Sequence, residues 1–198
     1  MLDPSEMRIL RKKLEDYNGK IPHMYLDAES MVCVGISHVL PCLEDALKVS
    51  FTNAQRLKAT PAEIKADYEA IQKLEPKRIA SFYKRQLKLG LPNSEVDRLT
   101  NNAIERYHQQ LADLYEGFNE FPSEAKLALF DIVFSMGAAN LGDWITFNES
   151  VRAQDWQKAA LDSARPFPIT AVRNIYVQGL LEKASRVSRK AALLEEAL

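Results

Sequence analysis

One segment constrains this chain more than any other: AKLALFDIVFSMG, from Ala125 to Gly137. Leu127, Ala128, Leu129, Phe130, Ile132, Val133, Phe134 and Met136 leave it almost no polar face. A helix that is apolar all round is stable only where other elements wrap it, so this one is expected at the centre of a helical core. Phe121-Pro-Ser-Glu124 immediately before it is a helix start signal. At 198 residues and 46% hydrophobic content, the chain can bury one good core and is short enough for a single domain over 1–198.

The elements around that core follow from local spacing. Met7, Leu10, Leu14 and Tyr17 share one face of a helix predicted over Ser5 to Tyr17. Gly19 and Pro22 stop it, because glycine suits a C-terminal cap and proline cannot continue the backbone bonding. The period then changes. Met24 to Val34 is rich in Tyr, Val, Met and Cys, and Asp27-Ala28-Glu29-Ser30 divides it into two strands, the second ending near Ile36. Thr60-Pro-Ala-Glu63 carries a capping box with proline at the first helical position. Pro92-Asn-Ser-Glu95 is another start. Asp155 to Ala164 and Thr170 to Leu198 read as amphipathic helices separated by Arg165-Pro-Phe-Pro168, with a helical extension from about residue 185. The expected class is α+β, mostly helical, with one small N-terminal hairpin lobe at about 20–45 and a helical lobe at about 60–185. A cleft between hairpin and helical body is the expected place for a ligand.

Composition excludes several function classes. Lys and Arg total 26 against 27 Asp and Glu, a formal charge of -1, so there is no bulk field to hold nucleic acid or an anionic surface; a polyanion would need a local patch. Cys33 and Cys42 form no CxxC or His-rich spacing, which argues against a zinc site and establishes no disulfide. No cofactor pattern is present. The N-terminal stretch has scattered charges and no apolar core, so neither a signal peptide nor an anchor is expected. No run approaches the roughly 18 apolar residues of a membrane span, so synthesis in the cytoplasm without membrane insertion is the expectation.

Tyr25-Leu26-Asp27, followed by Val32-Cys33-Val34-Gly35-Ile36-Ser37-His38-Val39-Leu40, resembles the motif Y-x-D-x-x-G-x-x-T-x-G-x-G-H-x-L of phage-type lysozymes, glycoside hydrolase family twenty-four. Leu127 to Ala160 is similar to the central helix of those enzymes and the segment after it, through Phe134, Met136, Gly137, Leu141 and Trp156. Pesticin-like and type VI secretion-associated lysozyme domains resemble it further, in the run Ile21 to Asp27 and the pair Arg173-Asn174. The resemblance covers roughly Asp16 to Ala184. It implies a lysozyme-like fold, peptidoglycan as the ligand, a bacteriolytic toxin or effector role, and an immunity or secretion protein as partner. It also implies delivery to the periplasm by a secretion system or by phage lysis machinery.

The family's chemistry uses a glutamic acid at the end of the first helix to protonate the glycosidic oxygen, while a hairpin aspartate and a threonine handle the attacking water. Aligned on Gly19 and Tyr25, the acid position is Asn18, the aspartate is Asp27 and the threonine position is Cys33. Ser30 and Ser37 replace glycines of the motif. An amide cannot give up a proton to a leaving alkoxide, and general acid catalysis is worth about 10²–10⁴-fold, so full muramidase activity is not expected. Glu15, one turn before Asn18, is the candidate substitute acid, and a solvated surface carboxylate is the competing reading. Cys33 and His38 could form a nucleophile-base pair, against a packing histidine beside a buried thiol. Asp27 could equally be a turn-former that caps backbone amides. His23 and His108 read as surface residues. Two function classes remain, a weakened muramidase and a non-catalytic pseudoenzyme that binds glycan or a protein in the retained cleft.

Overall fold

The computed structural model describes residues 2–195. They form a mostly helical α+β arrangement with a three-stranded antiparallel sheet. In chain order come α1 (Pro4–Asn18), β1 (Ile21–Leu26), β2 (Val32–Gly35), β3 (His38–Val39), α2 (Leu43–Leu47), α3 (Pro61–Ile71), α4 (Ala80–Lys84) and α5 (Asn93–Leu114). A 3₁₀ turn at Phe118–Glu120 then leads to α6 (Ser123–Gly142), α7 (Ile145–Arg152), α8 (Trp156–Asp162) and α9 (Ala171–Glu195). The last three residues of the helix expected over Thr170 to Leu198 lie outside the described residues.

The chain gathers into two compact units. One comprises the residues up to Lys13 with everything from Ile104 onward, and the other is Leu14–Ala103, so the boundaries fall inside α1 and α5. The first unit is built around the expected apolar helix. Leu127, Leu129, Phe130, Ile132 and Val133 of α6 are buried, and α6 and α8 both pack on α9. Gly137, at φ +80° and ψ 159°, breaks the helical path of α6. Past that point its residues are half-buried or exposed apart from Leu141. By length and composition α6 could cross a bilayer, but half of its apolar window is buried. Along α9, Val177, Leu180, Leu181, Ala184 and Ser185 are buried, while none from Arg186 to Leu194 is.

The second unit carries the sheet, in the order β1-β2-β3. The third strand goes beyond the two-stranded hairpin expected from sequence; it is only two residues long, too short to show a period. β1 packs on α3 and α4. The capping box at α3 forms as expected: Glu63 N donates to Thr60 Oγ1 at 3.3 Å, and Thr60 N donates to Glu63 Oε2 at 2.7 Å. Buried Asp67 of α3 accepts from Lys88 N at 2.9 Å and Leu89 N at 2.8 Å, which ties the segment before α5 to the helix.

Candidate functional site on the hairpin

The turn between β1 and β2 is organised by Asp27. Its backbone N–H donates to Met31 O at 3.0 Å, and its carbonyl accepts from Ser30 N at 3.2 Å. Its carboxylate oxygen Oδ1 accepts from Glu29 N at 2.9 Å and from Met31 N at 2.8 Å. This is the side-chain mimicry of a backbone turn for which aspartate is favoured. Ser30 has φ +66° and Ser37 φ +55°. Both serines therefore take the left-handed backbone that glycine ordinarily supplies, at a cost an L side chain does not normally bear.

Register decides which side chains meet. Tyr25 pairs with Cys33 and Leu26 with Val32 in one ladder, and Cys33 pairs with Val39 and Val34 with His38 in the next. Side chains alternate between faces along a strand, so Tyr25, Asp27, Cys33 and Val39 share one face. Met24, Leu26, Val32, Val34 and His38 share the other. The Cys33 thiol donates to Asp27 Oδ2 at 3.6 Å. Burial, reinforced by the Asp27 carboxylate and this hydrogen bond, pushes the Cys33 thiol up to about 12. Burial likewise pushes Tyr25 up to about 12, with Cys33 and Asp27 adding to it and a hydrogen bond with Ser37 opposing it. His38 stands across the sheet from Cys33, within electrostatic reach of Asp45 and Glu95. Cys33 and His38 do not form a nucleophile-base pair, because a protonated thiol on one face cannot pass its proton to an imidazole on the other.

Asn18 ends α1, and Gly19, at φ +74°, closes the helix through its N–H to Glu15 O at 2.9 Å. Asn18 is half-buried, and its side-chain nitrogen Nδ2 is sealed from solvent. Glu15, Asp16 and Glu29 are exposed. Among Asn18, Asp27 and Cys33 there is no good proton donor. The amide has none to give, and a thiol near 12 holds its proton too tightly to serve a leaving group near neutrality. Asp27 has both oxygens engaged inside the hairpin.

Sequence reasoning missed three features. A cavity of about 310 Å³ lies in the same unit, lined by Leu26, Val32, Leu40, Tyr68, Leu74 and Pro76 among others, and neither Asn18, Asp27, Cys33 nor Glu15 lines it. It opens on the Leu26 and Val32 face, opposite Asp27 and Cys33. His23, read as a surface residue, is 7% exposed, with Nε2 bonded to Ala80 O at 2.8 Å. The third is a charged cluster on α6. Buried Asp131 accepts from Arg165 Nη1 at 2.8 Å and, through both oxygens, from Arg173 Nε at 3.0 Å. Asn174 Oδ1 accepts from Arg165 N and Nε at 3.2 Å, and its Nδ2 donates to Arg165 O at 2.8 Å. The pair Arg173-Asn174 thus anchors α9 and the preceding loop to α6. Among the described residues no group of three or more His, Cys, Asp and Glu could hold a metal ion. No protein-family model matches the chain, and no curated protein matches it either.

Proposed function

We propose that this chain is a lysozyme-like protein of the phage-type class, directed at peptidoglycan, in which cleavage of the β-1,4 glycan linkage is weakened or lost and binding is retained. The observation that carries this reading is the hairpin centre itself. Asp27 aligns with the family's aspartate in the resemblance, and its carboxylate is committed to Glu29 N, Met31 N and the Cys33 thiol. The residue at the end of α1 is an amide where the chemistry needs an acid. A saccharide is held by apolar surface and a few polar groups whether or not an acid is present, so removal of the acid costs turnover before it costs affinity. On this reading the natural setting is the periplasm, reached through a secretion system or lysis machinery, with an immunity or secretion protein as partner. The test is cosedimentation of the purified chain with insoluble peptidoglycan. The expected result is saturable binding, displaced by soluble glycan fragments, with the peptidoglycan left particulate. A chain that stays in the supernatant contradicts it.

A further inference from the structure

The nearly neutral total of charges conceals a segregation. Between Gln72 and Lys88 the basic residues Lys73, Lys77, Arg78, Lys84, Arg85 and Lys88 face a single acid, Glu75. All six are exposed. Glu75 pairs with Arg78 at 3.6 Å. The remainder of the chain carries the compensating excess of acid. In the midst of these cations stands Ile79, 77% exposed, with half-buried Leu74 and Phe82 nearby in sequence. The Arg78 guanidinium lies over the Phe82 ring, 5.0 Å from its centroid.

This tip is built rather than loose. Tyr83 is fully buried, and its hydroxyl donates to Glu75 O at 3.0 Å while accepting from Arg78 N at 3.2 Å. His23 on β1 holds Ala80 O, and Asp67 holds Lys88 N. A partner would therefore meet an ordered surface and would not have to pay for ordering it. A soluble polyanion would use the cations but gain nothing from Ile79. A bilayer uses both, since lysines and arginines are drawn to anionic headgroups while an apolar side chain enters the acyl boundary.

We propose that this surface of the Leu14–Ala103 unit docks on a lipid leaflet rich in anionic phospholipid, with the cations on headgroup phosphates and Ile79 inserted between them. This inference does not depend on the peptidoglycan reading. The test is flotation of the full chain with vesicles of phosphatidylcholine alone and of phosphatidylcholine with phosphatidylglycerol. Two variants accompany it: K77E/K84E and I79S, whose folding is checked by circular dichroism. The expected result is binding to the anionic vesicles only, weakened as salt rises past about 0.15 M, and at least about tenfold weaker for K77E/K84E. I79S should weaken vesicle binding several-fold while leaving any binding to a duplex DNA oligonucleotide unchanged. Equal binding to both vesicle types, or no binding to either, overturns the proposal. So does an I79S variant that binds anionic vesicles as the wild type does while DNA binds as tightly, because the surface would then be a general polyanion site.

Discussion

Cys33 shows how far one substitution changes what a position can do. The lysozyme resemblance places a threonine there, whose hydroxyl could hold a water; the thiol instead closes onto Asp27 and stays protonated. A weak donor and weaker acceptor, it fills space and satisfies one carboxylate oxygen. With a thiol reagent at about pH 8, half-exposed Cys42, whose thiol donates to Asp45 Oδ2 at 3.1 Å and is pushed above its ordinary value by that carboxylate, should react slowly, and Cys33 only on unfolding. Equal reactivity of the two thiols would contradict the buried, protonated assignment. At this scale the sequence was informative where the determinants are local. Asp27 as a turn-former and Gly19 as a helix cap follow from short-range spacing, whereas the meeting of Tyr25, Asp27 and Cys33 on one face needs the register of the ladder. His23 was not legible, because its partner is the carbonyl of Ala80, 57 residues away, and nothing in the neighbourhood of His23 announces it.

At the scale of elements, two side chains hold pieces together that sequence periodicity leaves separate. Asp131 sits in the middle of an apolar helix and binds two arginines from the Arg165 loop and α9. Removing one partner of a buried ion pair leaves an uncompensated charge, so Asp131→Ala should cost about 3–5 kcal/mol in urea unfolding. A loss under 1 kcal/mol, roughly that of an exposed ion pair, would mean the cluster contributes little. His23 links β1 to α4. Burial holds its imidazole below the ordinary value of 6.5, so the folded chain favours the neutral ring and the unfolded chain takes up protons first. Stability from this residue is complete above the ordinary histidine value and falls as pH drops below it. Glu95, lowered mainly by Arg98, is affected only below its own ordinary value of 4.5, so the two windows are distinct. Wild type should lose stability between about pH 7 and 5 more steeply than His23→Gln, read by thermal unfolding at each pH; parallel profiles would contradict this. Helix starts such as Thr60 were legible because a capping box spans four residues. The five-residue helices α2 and α4 were not, since they are shorter than two turns and show no period.

For the molecule as a whole, the α+β class was legible from the change of period after Gly19 and from the apolar α6 segment, while the two-unit division was not. Its boundaries lie inside α1 and α5, where an unbroken helical pattern conceals them. The segregation of charge was written in the run from Lys73 to Lys88, but a sum over the chain conceals it, and only the exposure of those six side chains makes it a surface feature. The central claim is the proposed function and concerns turnover: with Asn18 at the acid position that the resemblance gives and Asp27 tied into its hairpin, the chain should bind glycan and not cut it efficiently. The most direct test is release of reducing ends from purified peptidoglycan by the wild type, beside Asn18→Glu/Cys33→Thr and Asp27→Asn. The account predicts wild type at or little above the background of a heat-inactivated control, with the double variant above wild type by about 10²-fold or more. Wild-type release as fast as that of the double variant, and lost in Asp27→Asn, would contradict it and would make Glu15 the acid to examine.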